Sequence, residues 1–193
     1  VLTLFVTIFA AFAFTRYKFY GSNTIFTLLL ATMMVPGEML IIQNYQTVSA
    51  FGWIDTFQGL IIPYIANVFY IFLLRQYFMQ IPEQLYKAAK IDGCSTWGTL
   101  WRIIFPIAAP GVFTTAIMTF ISAWNEYLLS CTMNSNESIQ TVPVRIGYLR
   151  GQYTIYWNQI AAAAVVVVIP TLVMVLLFQK QIVAGIANGA VKE

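Results

Sequence analysis

A short cluster of aromatic and polar residues, Trp124-Asn125-Glu126-Tyr127, stands near the end of an apolar segment. A carboxylate is costly to bury in a membrane, so it marks a functional site there. Aromatic rings can stack on the apolar face of a sugar, and the Asn125 amide and Glu126 carboxylate can hydrogen-bond its hydroxyl groups. The cluster is therefore a candidate for direct contact with a sugar-like solute. Two structural alternatives stay open, an aromatic belt at the membrane interface and a polar contact between helices.

Three further polar residues interrupt apolar segments. Asn67 and Tyr70 are weaker candidates for the same solute path. Glu38 follows Pro36-Gly37, where a break in a helix frees backbone groups, so this position could be a hinge, although a satisfied kink is the simpler interpretation.

No residues suited to covalent chemistry are visible. The chain has no His, only two Cys and seven acidic residues, which excludes zinc sites and His-dependent nucleophiles. No Gly-x-x-x-x-Gly-Lys-Ser/Thr phosphate loop occurs, so ATP hydrolysis by that route is excluded. We therefore expect no catalytic residues, no metal and no cofactor, and we expect that the chain is not an enzyme.

The composition is that of a polytopic membrane protein. Of 193 residues 60% are hydrophobic and 9% are charged, and the mean hydropathy is +0.75. A membrane helix needs ~20 apolar residues. On that scale five spans are predicted, at residues 1–15, 25–42, 59–74, 107–129 and 159–178. We expect an all-α membrane protein, and because the first apolar run begins at Val1, we expect an N-terminal piece to be absent from this sequence.

The basic residues predict the orientation of these spans. Cytoplasmic loops are enriched in Lys and Arg. If all five spans cross, eight of the ten basic residues share one side: Arg16, Lys18, Arg75, Lys87, Lys90, Arg102, Lys180 and Lys192. Only Arg145 and Arg150 fall on the other side. The C-terminus and the segment 75–106 are therefore predicted to be cytoplasmic, and Cys94 and Cys131 are expected to be free thiols on opposite sides.

A compact charged element lies inside the segment 75–106. Pro82 fits the first position of a helix, and Glu83 then lies in its positive first turn. One small apolar face is predicted from three residues spaced i, i+3 and i+4: Leu85, Ala88 and Ala89. Gly93 is predicted to end this helix.

A second, amphipathic helix is predicted directly after it. Ser95 is placed to cap the N-terminus of that helix. An apolar stripe follows at helical spacing: Trp97, Leu100, Trp101 and Ile104. Pattern alone leaves one alternative open, a pair of helices that only lies in the membrane interface.

The same segment resembles the cytoplasmic coupling loop of importer permeases of the ATP-binding-cassette (ABC) type. Six residues match the signature Glu-Ala-Ala…Gly…Ile-x-Leu-Pro in order and spacing: Ala88, Ala89, Asp92, Gly93, Ile104 and Pro106. Two positions depart from it, because Lys87 replaces Glu and Phe105 replaces Leu. A Lys at position 87 would need an acidic partner on the ATPase. The resemblance implies that this loop takes up motion from an ATPase through Glu83, Leu85, Lys87, Ala88, Ala89, Asp92 and Gly93.

The C-terminal segment 179–193 carries a second resemblance. Its glycine-containing run and final Gly-Ala-Val-Lys-Glu resemble the tail of the second permease subunit of maltose-type carbohydrate importers. That resemblance implies that the tail contacts the ATPase through Gly185, Asn188 and Gly189. A frayed terminus is the alternative. The segment Phe51-Gly52-Trp53-Ile54-Asp55-Thr56 also resembles this subfamily.

Together these resemblances imply a type I ABC importer permease fold, with residues 1–193 forming one transmembrane domain and six spans in the full protein. The implied protein is a carbohydrate importer subunit in a bacterial or archaeal plasma membrane. The implied partners are a homologous permease, two copies of an ATPase, a solute-binding protein that touches the loop 130–158, a carbohydrate and membrane lipid, but no nucleic acid.

Other functions remain to be weighed against this one. An ion-gradient-driven secondary transporter would favour paired intramembrane acids and inverted repeats, and the sequence has neither. A non-transporting membrane scaffold would show no dependence on a solute. A glycerol phosphodiester is an alternative substrate, because its importers use very similar permeases.

Overall fold

The computed structural model describes residues 1–17, 19–151 and 155–190, with the backbone alone described for 180–190. Within these residues the chain is helical, and its only β-type pairing is an isolated bridge between Arg150 and Ile155. The α-helices are α1 Leu2–Arg16, α2 Ser22–Thr32, α3 Ile41–Ala50, α4 Phe57–Ile61, α5 Val68–Met79, α6 Glu83–Ile91, α7 Thr96–Thr99, α8 Phe105–Ile107, α9 Ala109–Trp124, α10 Leu128–Met133, α11 Val142–Gly147 and α12 Trp157–Ala190. Short 3₁₀ turns cover Gly37–Leu40 and Ile62–Tyr64, and Leu100–Ile104 is a π-helix.

Most predicted spans are broken by local backbone chemistry. Among the described residues, one helix, Trp157–Gln179 with a mean hydropathy of 2.9, is long and apolar enough to cross a membrane alone, and the number rises to four if each of three bent helix pairs is one span. The predicted span 25–42 is interrupted after α2, where Pro36 precedes a 3₁₀ turn. The predicted span 59–74 is interrupted before α5, whose N-terminus is capped by Asn67. The first helix, α1, is apolar but shorter than a full span.

The described chain divides into two compact units. The first consists of Val1–Met34, Ala66–Thr119 and Phe178–Glu193, and the second consists of Val35–Ile65 and Phe120–Leu177. The interpretation of 1–193 as one permease domain stays a prediction.

The first unit is built around the packing of α1 on α5. Ile8, Ala11 and Phe12 of α1 lie in one buried cluster with Leu74 and Phe78 of α5. Between membrane helices lipid offers no hydrophobic driving force, so close van der Waals packing must hold such a cluster together. A glycine permits close approach of α9 to α5, because a Cβ on Gly111 of α9 would lie 2.4 Å from Cγ of Tyr77.

The second unit has a smaller core and a polar clasp. Val48, Leu129 and Met133 are buried together, with Trp53 packed against them. Asp55 adopts a positive φ of 56°, the only non-glycine residue to do so in the described part of the chain. Its carboxylate accepts hydrogen bonds from the backbone N–H groups of Ser135 and Asn136, 2.7 Å away in the latter case. The clasp fixes two segments that are 80 residues apart in the sequence.

Candidate coupling site

The helix α6 forms where the sequence predicts it, with one shift at its start. Pro82, predicted as the first helical residue, is instead the N-cap, with extended backbone angles of φ −55° and ψ 136°, so the helix begins one residue later at Glu83. Its carbonyl accepts a hydrogen bond from the N–H of Leu85. The missing N–H of proline costs nothing at this end, because the first N–H groups of a helix have no partner within the helix. Glu83 occupies the first turn as predicted.

Gly93 ends α6 in the conformation that favours glycine. Its φ is +75°, and its N–H donates to the carbonyl of Lys90 at 3.2 Å. The next N–H, of Cys94, donates to the carbonyl of Ala89 at 2.9 Å. These two bonds form a Schellman motif. No atom would lie within 4 Å of an added Cβ, so the requirement for glycine is conformational and not steric.

The apolar residues of α6 divide between a buried and an exposed side. Of the three residues predicted to share a small apolar face, Ala89 is buried, at 2% exposure, while Leu85 and Ala88 are exposed. Tyr86 is 4% exposed, so the buried side of the helix is formed by Tyr86 and Ala89. Leu85 and Ala88 therefore face outwards.

The outward side of α6 is partly apolar. Ile91 is 85% exposed, and Asp92 is exposed beside it. Glu83 and Lys87 form an i, i+4 ion pair of 3.4 Å on the same exposed helix. Lys87 thus has an acidic partner within its own helix, where the sequence suggested one on an ATPase. Exposed pairs of this kind contribute about 0.3–0.5 kcal/mol.

Arg16 of α1 covers the buried side of the coupling helix. Its guanidinium carbon lies 3.7 Å from the centroid of the Tyr86 ring, a cation–π contact. Burial raises the pKa of the Tyr86 hydroxyl, and the positive charge of Arg16 opposes that rise only in part. Tyr86 is therefore neutral at physiological pH. Its hydroxyl is buried and has no hydrogen-bond partner among the residues that the structure describes.

The second predicted helix is confirmed with its cap. The Ser95 hydroxyl accepts the N–H of Gly98 at 3.1 Å. Within the predicted stripe, Leu100 and Ile104 are buried in the core of the first unit. Trp97 and Trp101 instead remain partly exposed, and both make edge-to-face contacts with Phe9 of α1. Both helices of the coupling segment therefore pack against α1.

Sequence reasoning missed Tyr86, Arg16 and Ile91 as parts of this site. Tyr86 lies between signature residues and has no special spacing of its own. Arg16 lies 70 positions earlier, so no local pattern could pair the two. Ile91 was detectable, because it is an apolar residue next to Asp92 at the end of a charged helix.

Two of the candidate solute residues near the end of α9 make hydrogen bonds within the protein. The carboxylate of Glu126 accepts the N–H groups of Leu129 and Ser130 at 2.8 and 2.9 Å and so caps α10. Trp124 donates from Nε1 to the carbonyl of Val167 at 3.0 Å. These bonds give Glu126 and Trp124 structural roles.

The remaining candidates differ in exposure. Asn125 donates to the carbonyl of Ile121 in its own helix, and its neighbour Tyr127 is 47% exposed. Asn67 caps α5, and the hydroxyl of Tyr70 donates to the carbonyl of Met118 at 3.1 Å. Direct solute contact by any of these residues stays a prediction.

The tail residues lie in α12. The backbone of this helix continues to Ala190 and includes Gly185, Asn188 and Gly189, but the side chains from 180 onwards and residues 191–193 lie outside the described residues. Within the described part of the chain, no cluster of three or more metal-binding side chains occurs. Cys94 and Cys131 are free, as predicted.

The chain is similar in sequence to permease proteins of sugar transport systems. Over 98% of its length the chain is 37% identical to the trehalose/maltose transport system permease protein MalG of Thermococcus litoralis, covering 69% of that protein. It is 40% identical, over 95% of its length, to the trehalose transport system permease protein SugB of Mycobacterium tuberculosis, covering 68% of it.

A solved structure shares the fold. The crystal structure of a bacterial ABC transporter involved in the import of the acidic polysaccharide alginate superposes with a TM-score of 0.82 and covers 93% of this chain and 68% of that one, at 22% identity. The expected type I importer permease fold is thereby confirmed. Residues 4–188 match a single family, and the chain belongs to the binding-protein-dependent transport system inner membrane components.

Proposed function

We propose that this chain is a membrane-spanning permease subunit of an ATP-driven carbohydrate importer. The family assignment favours this function over a secondary transporter or a scaffold, because the family works with a binding protein. Relatives named for trehalose and maltose transport, at 37% and 40% identity, support a carbohydrate as the solute.

The observation that supports coupling most directly is the two-sided character of α6. One side, Tyr86 and Ala89, is buried in the first unit. The other side carries Leu85, Ala88 and Ile91 towards solvent. Exposed apolar residues on a short charged helix fit a groove on a partner protein. An ATPase subunit that pushes on the exposed side would move α1 through the buried side.

The assembly and orientation of the importer follow the same proposal. A homologous permease would complete the transmembrane pathway, two ATPase copies would bind the coupling loops, and a solute-binding protein would deliver the carbohydrate. The basic residues support a cytoplasmic coupling loop and a cytoplasmic C-terminus in the plasma membrane. ATP binding would shift the population between inward-open and outward-open states through different contacts in each.

The first test is to purify this chain from its native membrane in mild detergent and to identify by mass spectrometry the proteins that copurify. An ABC ATPase and a second permease are expected. Leu85→Glu and Ile91→Glu should each release the ATPase while the second permease stays bound. Val142→Glu, the same kind of change at an exposed apolar residue outside the coupling segment, is the control. A chain that purifies alone would contradict the proposal.

A further inference from the structure

A cavity of about 900 Å³ opens in the first unit beside the coupling helix. Its wall is formed by the C-terminal ends of α1 and α5 together with α6 and the start of α7. One part of the wall is apolar and consists of Phe12, Phe78, Met79 and Ile81. The remaining wall is polar. A cavity with both kinds of wall suits an amphiphilic molecule better than a small soluble ion.

The polar part of the wall carries two cations. Arg16 lies over the Tyr86 ring, and Lys90 follows Tyr86 by four residues, so both cations lie on the same side of α6. Among the described residues neither forms an ion pair. The acidic residue of the wall is Glu83, whose charge is offset by Lys87 at 3.4 Å. The cavity is therefore positively charged.

Hydroxyl groups complete the polar wall. Ser95 and Thr96 line the same cavity. The Ser95 hydroxyl accepts the Gly98 N–H, which leaves its own hydrogen available to donate. Arginine, lysine and hydroxyl groups together are the donors that bind phosphate oxygens.

We infer that this cavity binds the phosphate headgroup of an anionic phospholipid, with Arg16 and Lys90 as its charged ligands. The cavity lies where apolar helices end and the basic coupling segment begins, as expected for a site at the membrane interface. A lipid bound there would join the end of α1 to the coupling helix. The lipid would belong to the cytoplasmic leaflet, and this assignment rests on the proposed function.

The test is a titration of the purified assembled importer with phosphatidylglycerol in detergent, followed by native mass spectrometry to count the lipids retained. Lys90→Gln and Arg16→Gln should each weaken retention about fivefold, as expected for one interfacial charge. Arg102→Gln is the matched control, because it removes one positive charge from the same segment, outside the cavity wall and away from Glu83 and its ion pair. Its retention should stay within about twofold of the unmodified complex.

Three outcomes would overturn the inference. One is equal retention in the Lys90→Gln, Arg102→Gln and unmodified complexes. Another is equal retention of zwitterionic phosphatidylcholine. The third is displacement of the lipid by millimolar inorganic phosphate, which would indicate a site for a free anion. If no ATPase copurifies, the proposed function fails, but the lipid titration can still be made on the purified chain.

Discussion

The guanidinium of Arg16 and the ring of Tyr86 stack at 3.7 Å, so the last turn of α1 and the coupling helix α6 meet in one contact. This contact is not exposed to solvent on the tyrosine side, because Tyr86 is 4% exposed. Desolvated cation–π pairs contribute up to about 2 kcal/mol. The contact therefore joins the helix expected to meet the ATPase to a helix of the apolar core.

Replacing Tyr86 tests that connection. Tyr86→Ala removes a buried ring, a change that costs about 3–5 kcal/mol in a packed core, and should loosen α6 from α1. We expect the ratio of solute transported to ATP hydrolysed to fall at least fivefold in proteoliposomes. Tyr86→Phe is the control, because its ring keeps the stack and the lost hydroxyl has no partner in the described structure. An unchanged ratio in Tyr86→Ala would show that α6 transmits motion by another route.

Gly93 provides a prediction about the end of the coupling helix. Gly93→Ala forces a side chain into a φ of +75° and should cost about 1–2 kcal/mol. Gly93→Pro also removes the N–H that bonds to Lys90 and cannot adopt that φ, so it should abolish uptake. Uptake and membrane abundance should be measured together, since insertion is expected to stay normal.

The control for Gly93 is Gly37→Ala. Position 37 also has open space for a Cβ, but its φ is not positive. Gly37→Ala should therefore be tolerated, and Gly93→Asn should be milder than Gly93→Ala, because Asn accepts the left-handed conformation. Normal uptake by Gly93→Pro would remove the support for coupling through α6.

Gly111 tests the packing of α9 on α5. The Cβ of Gly111→Ala would lie 2.4 Å from Cγ of Tyr77, and Tyr77 is itself 7% exposed and has little room to move. Overpacking of this kind costs about 1–3 kcal/mol, so the melting temperature of the purified complex should fall by several degrees. Gly98→Ala is the matched control, since its nearest contact is 3.4 Å from the Ser95 hydroxyl. Equal melting temperatures for the two variants would contradict the close approach.

Local signals predicted the coupling segment well. The bounds of α6, the left-handed Gly93 and the Ser95 cap all depend on neighbours within four residues, and the sequence displays these neighbours directly. The side of α6 that is buried was not predicted, because it depends on Tyr86 meeting Arg16 from a distant helix. Helical periodicity cannot show which of two adjacent sides of a helix a tertiary contact will bury.

The spans were predicted less well than the loop. Apolar composition located the segments, but Pro36 and Asn67 end or start helices inside them. Glu126 lies in an apolar segment and was predicted to contact solute, which stays a prediction, and its carboxylate caps α10 through two N–H groups. A carboxylate in an apolar segment looks the same in a sequence whether it meets a ligand or a helix end.

The C-terminal tail gives a prediction about the ATPase. Deleting residues 185–193, which include Gly185, Asn188 and Gly189, should lower the ATPase activity of the assembled complex severalfold. The expected reason is the loss of a contact between the tail and the ATPase dimer. A variant that lacks only 191–193 is the control, because it keeps all three of these residues. Unchanged activity in the longer deletion would mean that the tail is only a chain terminus.

The Asp55 clasp can be tested by hydrogen exchange. Asp55→Ala removes the acceptor for the N–H groups of Ser135 and Asn136. Hydrogen bonds to charged groups contribute about 1.5–3 kcal/mol, and the site is exposed, so exchange at these two amides should rise about tenfold. Asp55→Asn keeps an acceptor oxygen and tolerates the φ of 56°, so its effect should be smaller.

A third variant separates the clasp from the backbone strain at the same residue. Asp55→Gly loses the acceptor but adopts a positive φ without strain. The amides of Ser135 and Asn136 should therefore exchange as fast in Asp55→Gly as in Asp55→Ala, while the melting temperature of Asp55→Gly should be higher. If Asp55→Ala and the unmodified protein exchange equally at Ser135 and Asn136, the carboxylate does not hold these two segments together in solution. If Asp55→Gly instead matches the unmodified protein, backbone strain and not the lost acceptor explains the effect of alanine.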